Sequence, residues 1–448
     1  ARQRALESGS AQLVSITLEV EFLDPLAVLE SIWERTEWHA YFENVAEDFA
    51  FAGAEAVTMA EFRGANRCEE AKAWAQQLLE NCIESGDSEH VLGGPQIMIG
   101  MTFADESPAN SDFAPLSAWV PRWQVLRTGD QTLAVANACI EPDTDIEAVS
   151  ERILKAHRRF SGFAYSETNA ETPSLNRFQK SESSKEAYTS GVASAVRDIR
   201  DGKFEKIVLA RSEQFTSPTD LSPIGPLSKM RESFWGCHCF AFGNNRGKSF
   251  IGATPEILFE KEQGQVHTQA LAGSISRAPN AQKDADLGSQ LLHSAKDRHE
   301  HELVRKAIVK RLKSLGLEVA PSRSPKLLKL KNIQHLNTPI HGTLPPDVSF
   351  WDILKTLHPT PAVGGSPREI TGKVLHQYET LDRSLYAGAV GMMNRQGDGK
   401  MYVAIRSVSV TQRCLEFFAG AGIVAGSDPL KEWDETQLKM NAMRDIFA

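Results

Sequence analysis

The sequence predicts an α+β protein in which large antiparallel sheets carry helices on their faces. Three observations point there. Strand-like segments come in hairpin pairs, helical periodicities fall between groups of strands rather than after each one, and 448 residues with 41% hydrophobic and 24% charged side chains can bury a large core. Length alone allows two or three domains or one unusually large one.

Along the first half, alternation marks strands at 13–22 (LVSITLEVEF), 95–103 (PQIMIGMTF) and 132–140 (TLAVANACI), with helical patterns at 69–84 and about 145–157. A polar stretch at 165–184 then forms a surface connection. Beyond it the punctuation sharpens. Ser183 to Glu186 has the form of a capping box, opening a helix with the apolar stripe Tyr188, Val192, Ala195, Val196 and Ile199 that stops at Gly202. Strands follow at 204–211 (FEKIVLAR) and 249–261, the latter turning at Gln263-Gly264 into 265–275. One long helix is expected over about 282–315, and Ser366 to Glu369 forms a second capping box with proline at the first helical position. Residues 386–410 suggest a hairpin around Gly397-Asp398-Gly399, and 415–418 (LEFF) one more strand. After it, AGAGIVAGSDPLKEWDE (419–435) suggests a loop with three glycines running into a final helix.

Composition narrows the function. A net charge of −9 gives no reason to expect nucleic acid or an anionic membrane as partner, so an anionic substrate must be held by local groups. No apolar run approaches the roughly 20 residues of a membrane span, and the first residues lack the apolar core of a secretory signal, which makes the cytoplasm the expected location. The six cysteines lack zinc-ligand spacing except at Cys237-His238-Cys239, where a strand with both thiols on one face is the simpler account, and reduced thiols are expected.

Several charged residues break the pattern of their own element. Lys206 shares a strand face with Val208 and Ala210, which places it at a sheet edge, snorkelling, or in a pocket where desolvation would lower its pKa and let it act as a base. Glu256 follows Thr254-Pro255 between two apolar runs; either a bend at proline turns it to water, or it is a carboxylic acid whose raised pKa lets it donate a proton. Asp297 and Glu300 continue the apolar stripe of Val304, Ala307 and Ile308, and Glu432 and Glu435 repeat that spacing on the last helix. Two such pairs could hold Mg2+, or they are solvated charges. Arg406 lies on a strand face with Tyr402, Ala404 and Val408, suited to a substrate carboxylate or to an internal salt bridge.

Together, KIVLAR (206–211), FIGATPE (250–256), ALAGS (270–274), KDRHEHELV (296–304), HPTPAVGG (358–365), YAGAVG (386–391), AIRS (404–407) and AGAGIVAGSDPLKEWDET (419–436) resemble the chorismate-utilising enzymes, the family of isochorismate, anthranilate, aminodeoxychorismate and salicylate synthases. The resemblance implies a single domain over 1–448, two antiparallel sheets packed as a sandwich with helices outside, with a less recognisable part at 1–165 and the chorismate-binding part at 183–440. It assigns Lys206 as the base that activates water and Glu256 as the acid that protonates the departing hydroxyl. Glu300 and Glu435 match Mg2+ ligands, with Asp297 and Glu432 acting through water. Arg406, Tyr386 and Lys439 match groups around a substrate carboxylate, joined by backbone at Gly273, Ser274 and Gly420. His335 matches a histidine near the ring, and Ala362 and Ile405 complete the expected substrate-binding set.

The implied reaction converts chorismate to isochorismate, water adding at ring carbon 2 while the hydroxyl at carbon 4 leaves. Lysine at 206 suits the water-using members. Ala272 stands where aminodeoxychorismate synthases carry a nucleophilic lysine, and Ala362 where salicylate synthases tend to have threonine. A salicylate synthase is the alternative on the same scaffold, and a silent binding module the alternative from another class. The long first half is more similar to menaquinone-type than to siderophore-type members. A monomer without an amidotransferase subunit is expected.

Overall fold

A computed structural model describes residues 1–87, 92–108, 111–161, 172–181, 184–320 and 324–448. Its strands form one continuous hydrogen-bonded network folded into two facing sheets. The first sheet runs from Lys206–Thr216 through Cys414–Ile423, Ser407–Val410, Ser249–Thr254, His238–Gly243 and His39–Asn44 to Phe49–Phe62. The second runs from Ile97–Met101 through Ala389–Met393, Gly399–Val403, Ile257–Glu262 and Gln265–Ser276 to Ile333–Thr343. All of these pairings are antiparallel.

The strand Leu116–Thr128 makes the two sheets continuous. It pairs with Phe49–Phe62 along one side, and along the other with Ile97–Met101 at its start and Gln131–Ile140 at its end. The corner is at Glu55, in the left-handed region with φ 58°, just before the register of the Phe49–Phe62 strand shifts between Ala56 and Thr58. Glu55 is held there by Arg122 Nε at 3.0 Å, Arg152 at 2.7 Å and the indole N–H of Trp123 at 3.1 Å. The inner faces meet in an aromatic core: Phe42 stacks on Tyr402 at 5.7 Å and Tyr386 on Phe418 at 5.2 Å. Helices lie outside, and among the described residues none is long and apolar enough to cross a membrane.

Several elements differ from the sequence expectation. The long helix is two, Ala281–His293 and Ala295–Ser314, because Ser294 is extended and its hydroxyl accepts the Asp297 N–H, capping the second. The helix Lys185–Arg200 buries the predicted stripe, but its cap is Ser184; Ser183 lies outside the described residues. Ser366 caps nothing, since it pairs beside Lys206 as part of the strand Gly365–Ser366 and its hydroxyl donates to Glu205; the helix Arg368–Val374 starts after Pro367. Pro255 splits 249–261 into two strands that belong to different sheets. The 386–410 hairpin ends at Val403, beyond which Arg406, in the left-handed region (φ 51°), redirects the chain into the first sheet, so Arg406 is on no strand face. The helical pattern at 69–84 ends at Glu80, and 83–86 form a strand parallel to Gln12–Val20. The glycine-rich 419–423 segment, expected as loop, is strand.

Replacing Glu55 by Ala removes three hydrogen bonds while keeping a strained φ, and is expected to cost about 1–3 kcal/mol of stability. The shift of the urea midpoint at constant slope measures it.

Candidate active site

The site is assembled where the first sheet meets the helices Ala295–Ser314 and Pro429–Arg444. Lys206 begins the strand Lys206–Thr216 and is 0% exposed. Its Nζ lies 2.9 Å from Glu300 Oε1. This settles its placement for a pocket rather than a sheet edge. The adjacent strand explains the contact: Gly422 pairs with Val208, and a Cβ there would stand 2.2 Å from Glu300 Oε1 and 3.0 Å from Lys206 Cε. Glycine at 422 therefore provides space, in ordinary strand geometry, for an amine and a carboxylate to meet. Burial alone would raise the Glu300 pKa, but the Lys206 ammonium outweighs it and holds Glu300 below the usual range.

Glu256 sits at the break after Pro255, 4% exposed. Burial pushes its pKa from 4.5 up to about 7, against the pull of Lys206, Lys439, the Thr360 hydroxyl and Arg406. It is thus a carboxylic acid partly protonated at neutral pH, in electrostatic reach of the buried amine.

Arg406 is buried and makes no ion pair among the described residues; its closest partner is His335 Nε2 at 3.0 Å. Guanidinium can only donate, so Nε2 accepts and Nδ1 keeps its hydrogen, directed at Ser274 Oγ 2.9 Å away. Burial, then the Arg406 and Lys439 charges, holds the His335 pKa well below its ordinary value, so the ring is neutral. Gly273 adopts φ 75°, and a Cβ on it would meet Asp297 Cβ at 3.0 Å, so the ALAGS turn packs directly on the acidic helix. Lys439 donates to the Gly420 carbonyl at 2.9 Å and lies 2.6 Å from Glu435 Oε1.

A cavity of about 80 Å3 lies among these groups. Twelve of the fifteen residues expected from the sequence line it: Glu256, Gly273, Ser274, Glu300, His335, Ala362, Tyr386, Ile405, Arg406, Gly420, Glu435 and Lys439. Lys206 adjoins through Glu300, Asp297 through Gly273, and Glu432 is one turn from Glu435 and 2.8 Å from Lys296. Pockets for small organic ligands run about 300–1,000 Å3, and the side chains paired around this one leave it narrower. The sequence does not single out Val208, Pro255, Leu271, Ala272, Val363, Ala387, Phe418, Ala419 and Gly422 as lining residues; all but Gly422 are apolar and carry no chemical signal of their own. Strand alternation from Lys206 to Val208 was the one available clue to Val208.

The four carboxylates suit a hard cation. Burial raises Asp297, and the charges of Glu300 and Glu435 add to it. Burial likewise raises Glu432, with Glu435 adding and Lys296 opposing. Three of the four already have an ammonium partner, Glu300 with Lys206, Glu432 with Lys296 and Glu435 with Lys439, and among the described residues no group of three or more His, Cys, Asp or Glu is arranged to hold a metal ion.

The chorismate binding enzyme family matches residues 1–448. A relative named salicylate biosynthesis isochorismate synthase, from Pseudomonas aeruginosa, is 33% identical over 97% of this chain and 90% of its own length. Isochorismate synthase MenF of Bacillus subtilis is 31% identical over 99% of this chain and 95% of its own. Among solved structures, the menaquinone-specific isochorismate synthase MenF of Escherichia coli matches with TM-score 0.80 at 22% identity, covering 100% of this chain and 99% of that one. Anthranilate synthase component I of Streptococcus pneumoniae matches with TM-score 0.68 at 19% identity, covering 90% and 93%.

Two predictions follow from the site. Gly422→Ala should leave the fold intact, as its φ permits alanine, but displace Glu300 and lower kcat/KM by about 10²-fold, with little change in melting temperature. Because the folded-state pKa of Glu256 is raised, the stability tied to it is complete below pH 4.5 and is lost as pH rises through about 7. Glu256→Gln should therefore flatten the decline in stability between pH 5 and 8, an effect of roughly 3 kcal/mol, read from denaturation midpoints across that range.

Proposed function

The chain belongs to the chorismate-binding enzyme family, and from that premise we propose that it is an isochorismate synthase, with residues 1–448 acting as one unit. The observation that carries this reading is the convergence of a buried amine, Lys206, a protonatable acid, Glu256, and a buried guanidinium without a carboxylate partner, Arg406, around one cavity. Chorismate brings two carboxylates. One meets Arg406, Lys439 and Tyr386, with backbone at Gly273, Ser274 and Gly420 beside it, and neutral His335 stands next to the ring with Ala362 and Ile405.

Lys206 is assigned as the base that takes a proton from the water that adds to carbon 2. Glu256 gives its proton to the hydroxyl leaving carbon 4, and the ring double bonds shift between the two positions. An acid with a pKa of about 7 is matched to this task at neutral pH. Glu300 and Glu435, with Asp297 and Glu432 through water, would hold Mg2+. When bound, Mg2+ neutralises and orients the second substrate carboxylate. The catalytic set is complete, which separates this chain from a silent binding module. Six free cysteines fit a reducing cytoplasm. We assign no nucleic-acid, membrane or amidotransferase partner, and a monomer is expected.

The purified protein with chorismate and Mg2+ should yield isochorismate as the dominant product by chromatography, and chelation should stop turnover until Mg2+ is restored. Lys206→Ala should lose roughly 10²–10⁴-fold in kcat with unchanged circular dichroism. Salicylate as the main product would instead identify a salicylate synthase, and wild-type rates in Lys206→Ala would refute the assigned base.

A further inference from the structure

A second cavity, of about 470 Å3, adjoins the opposite wall of the 358–365 loop and shares no lining residue with the substrate pocket. Pro359 and Gly364 of the loop line it, while Ala362 and Val363 line the substrate pocket. Its charged lining is Arg67, Lys355, Arg368 and Lys373 against Asp105 and Glu369. Arg368 stands 3.9 Å from Glu369, and Lys355 pairs with Glu69, but Arg67 has no ion pair among the described residues. Arg67 donates to the carbonyls of Ala104 and Pro115, and Arg368 to that of His358 at 2.8 Å. Behind them Arg311 donates to the carbonyls of Leu357 and Pro359. Among the described residues neither Arg67 nor Arg311 makes an ion pair, and burial together with the Arg368 charge pushes the Arg311 pKa down to about 10. Arg67 and Lys373 are left without an ion pair among the described residues, a charge that an anion would relieve. Met101, Phe103 and Leu375 give the wall an apolar part, beside Cys68, His358 and Thr371.

We propose that this cavity binds a small aromatic carboxylate, its ring against Met101, Phe103 and Leu375 and its carboxylate toward the arginines. The size is that of a ligand pocket. Occupancy bears on catalysis through the loop. Thr360 faces Glu256, and Gly365 and Ser366 pair with Ile207 and Lys206, so pressure on Pro359 and Gly364 is felt at both the acid and the base. Coupling of this kind is reciprocal: the ligand changes substrate affinity by the same factor as substrate changes its own.

The test uses benzoate as probe, titrated by calorimetry into the full chain. Gly372 lines the cavity in the helix Arg368–Val374, and a Cβ on it meets nothing within 4 Å. Gly372→Phe should therefore occupy the cavity and weaken benzoate binding at least tenfold, whereas Gly372→Ala should retain it, both with wild-type melting temperature. In kinetics, benzoate should not compete with chorismate. The proposal is overturned by absence of millimolar binding to wild type, by equal binding to Gly372→Phe, by purely competitive inhibition, or by inorganic phosphate displacing benzoate one for one, which would make it a simple anion site. The binding measurements need no turnover, so they stand whatever reaction the enzyme performs.

Discussion

The arrangement depends on one buried ion pair and the space made for it. An ammonium with no exposed surface is tolerable only beside an opposite charge, and removing either partner of such a pair leaves an uncompensated charge in the interior. Lys206 meets Glu300 because the neighbouring strand carries no side chain at 422. That contact fixes the register of Lys206–Thr216 against Cys414–Ile423 and the depth at which the helix Ala295–Ser314 packs. A slip of one residue in the strand pair would put Ala421 or Ile423 in the slot and turn Lys206 away.

This is also why the fold was more legible than its joints. Strands and helices with regular periodicity, such as 131–140 and 185–200, were found within a few residues because their apolar pattern is local information. The glycine segment at 419–423 was expected as loop because glycine lacks strand propensity; here it is strand because the close approach of Glu300 excludes anything larger, a fact located 122 residues away in the chain, at 300 against 422. Ser294 looked like one residue in a long helix, since nothing nearby shows that its hydroxyl caps a new one. Arg406 was placed on a strand by alternation, but its positive φ comes from the chain passing from one sheet to the other, which alternation cannot encode.

The site residues were legible in a different way. Lys206, Glu256, Asp297, Glu300, Arg406, Glu432 and Glu435 stand out as charges that break the pattern of their element, whereas Gly273, Ser274, His335, Ala362, Tyr386, Ile405, Gly420 and Lys439 rest on the family resemblance alone. Glu256 and Arg406 are buried facing a common cavity, Lys206 is buried against Glu300 at its margin, and His335 is kept neutral by burial and by the Arg406 and Lys439 charges. Glu432 is buried in the first turn of its helix and is raised by its neighbour, yet it meets Lys296 at the margin rather than the cavity itself.

The charge balance of the site bears on why an acidic protein would bind a dianion. Lys206, Lys296, Lys439 and Arg406 stand against Asp297, Glu300, Glu432 and Glu435, with Glu256 partly protonated, so the substrate-free site is close to neutral. Three of these cations are spoken for by carboxylates, which leaves Arg406 as the single strong attraction for substrate. One guanidinium cannot balance two carboxylates in a desolvated pocket. Under the proposed function, a divalent cation held by Glu300 and Glu435 would supply the missing charge and bring the occupied site near neutrality. The acid pairs, which looked like an obstacle to an anionic substrate, are on this account what allows it to be bound.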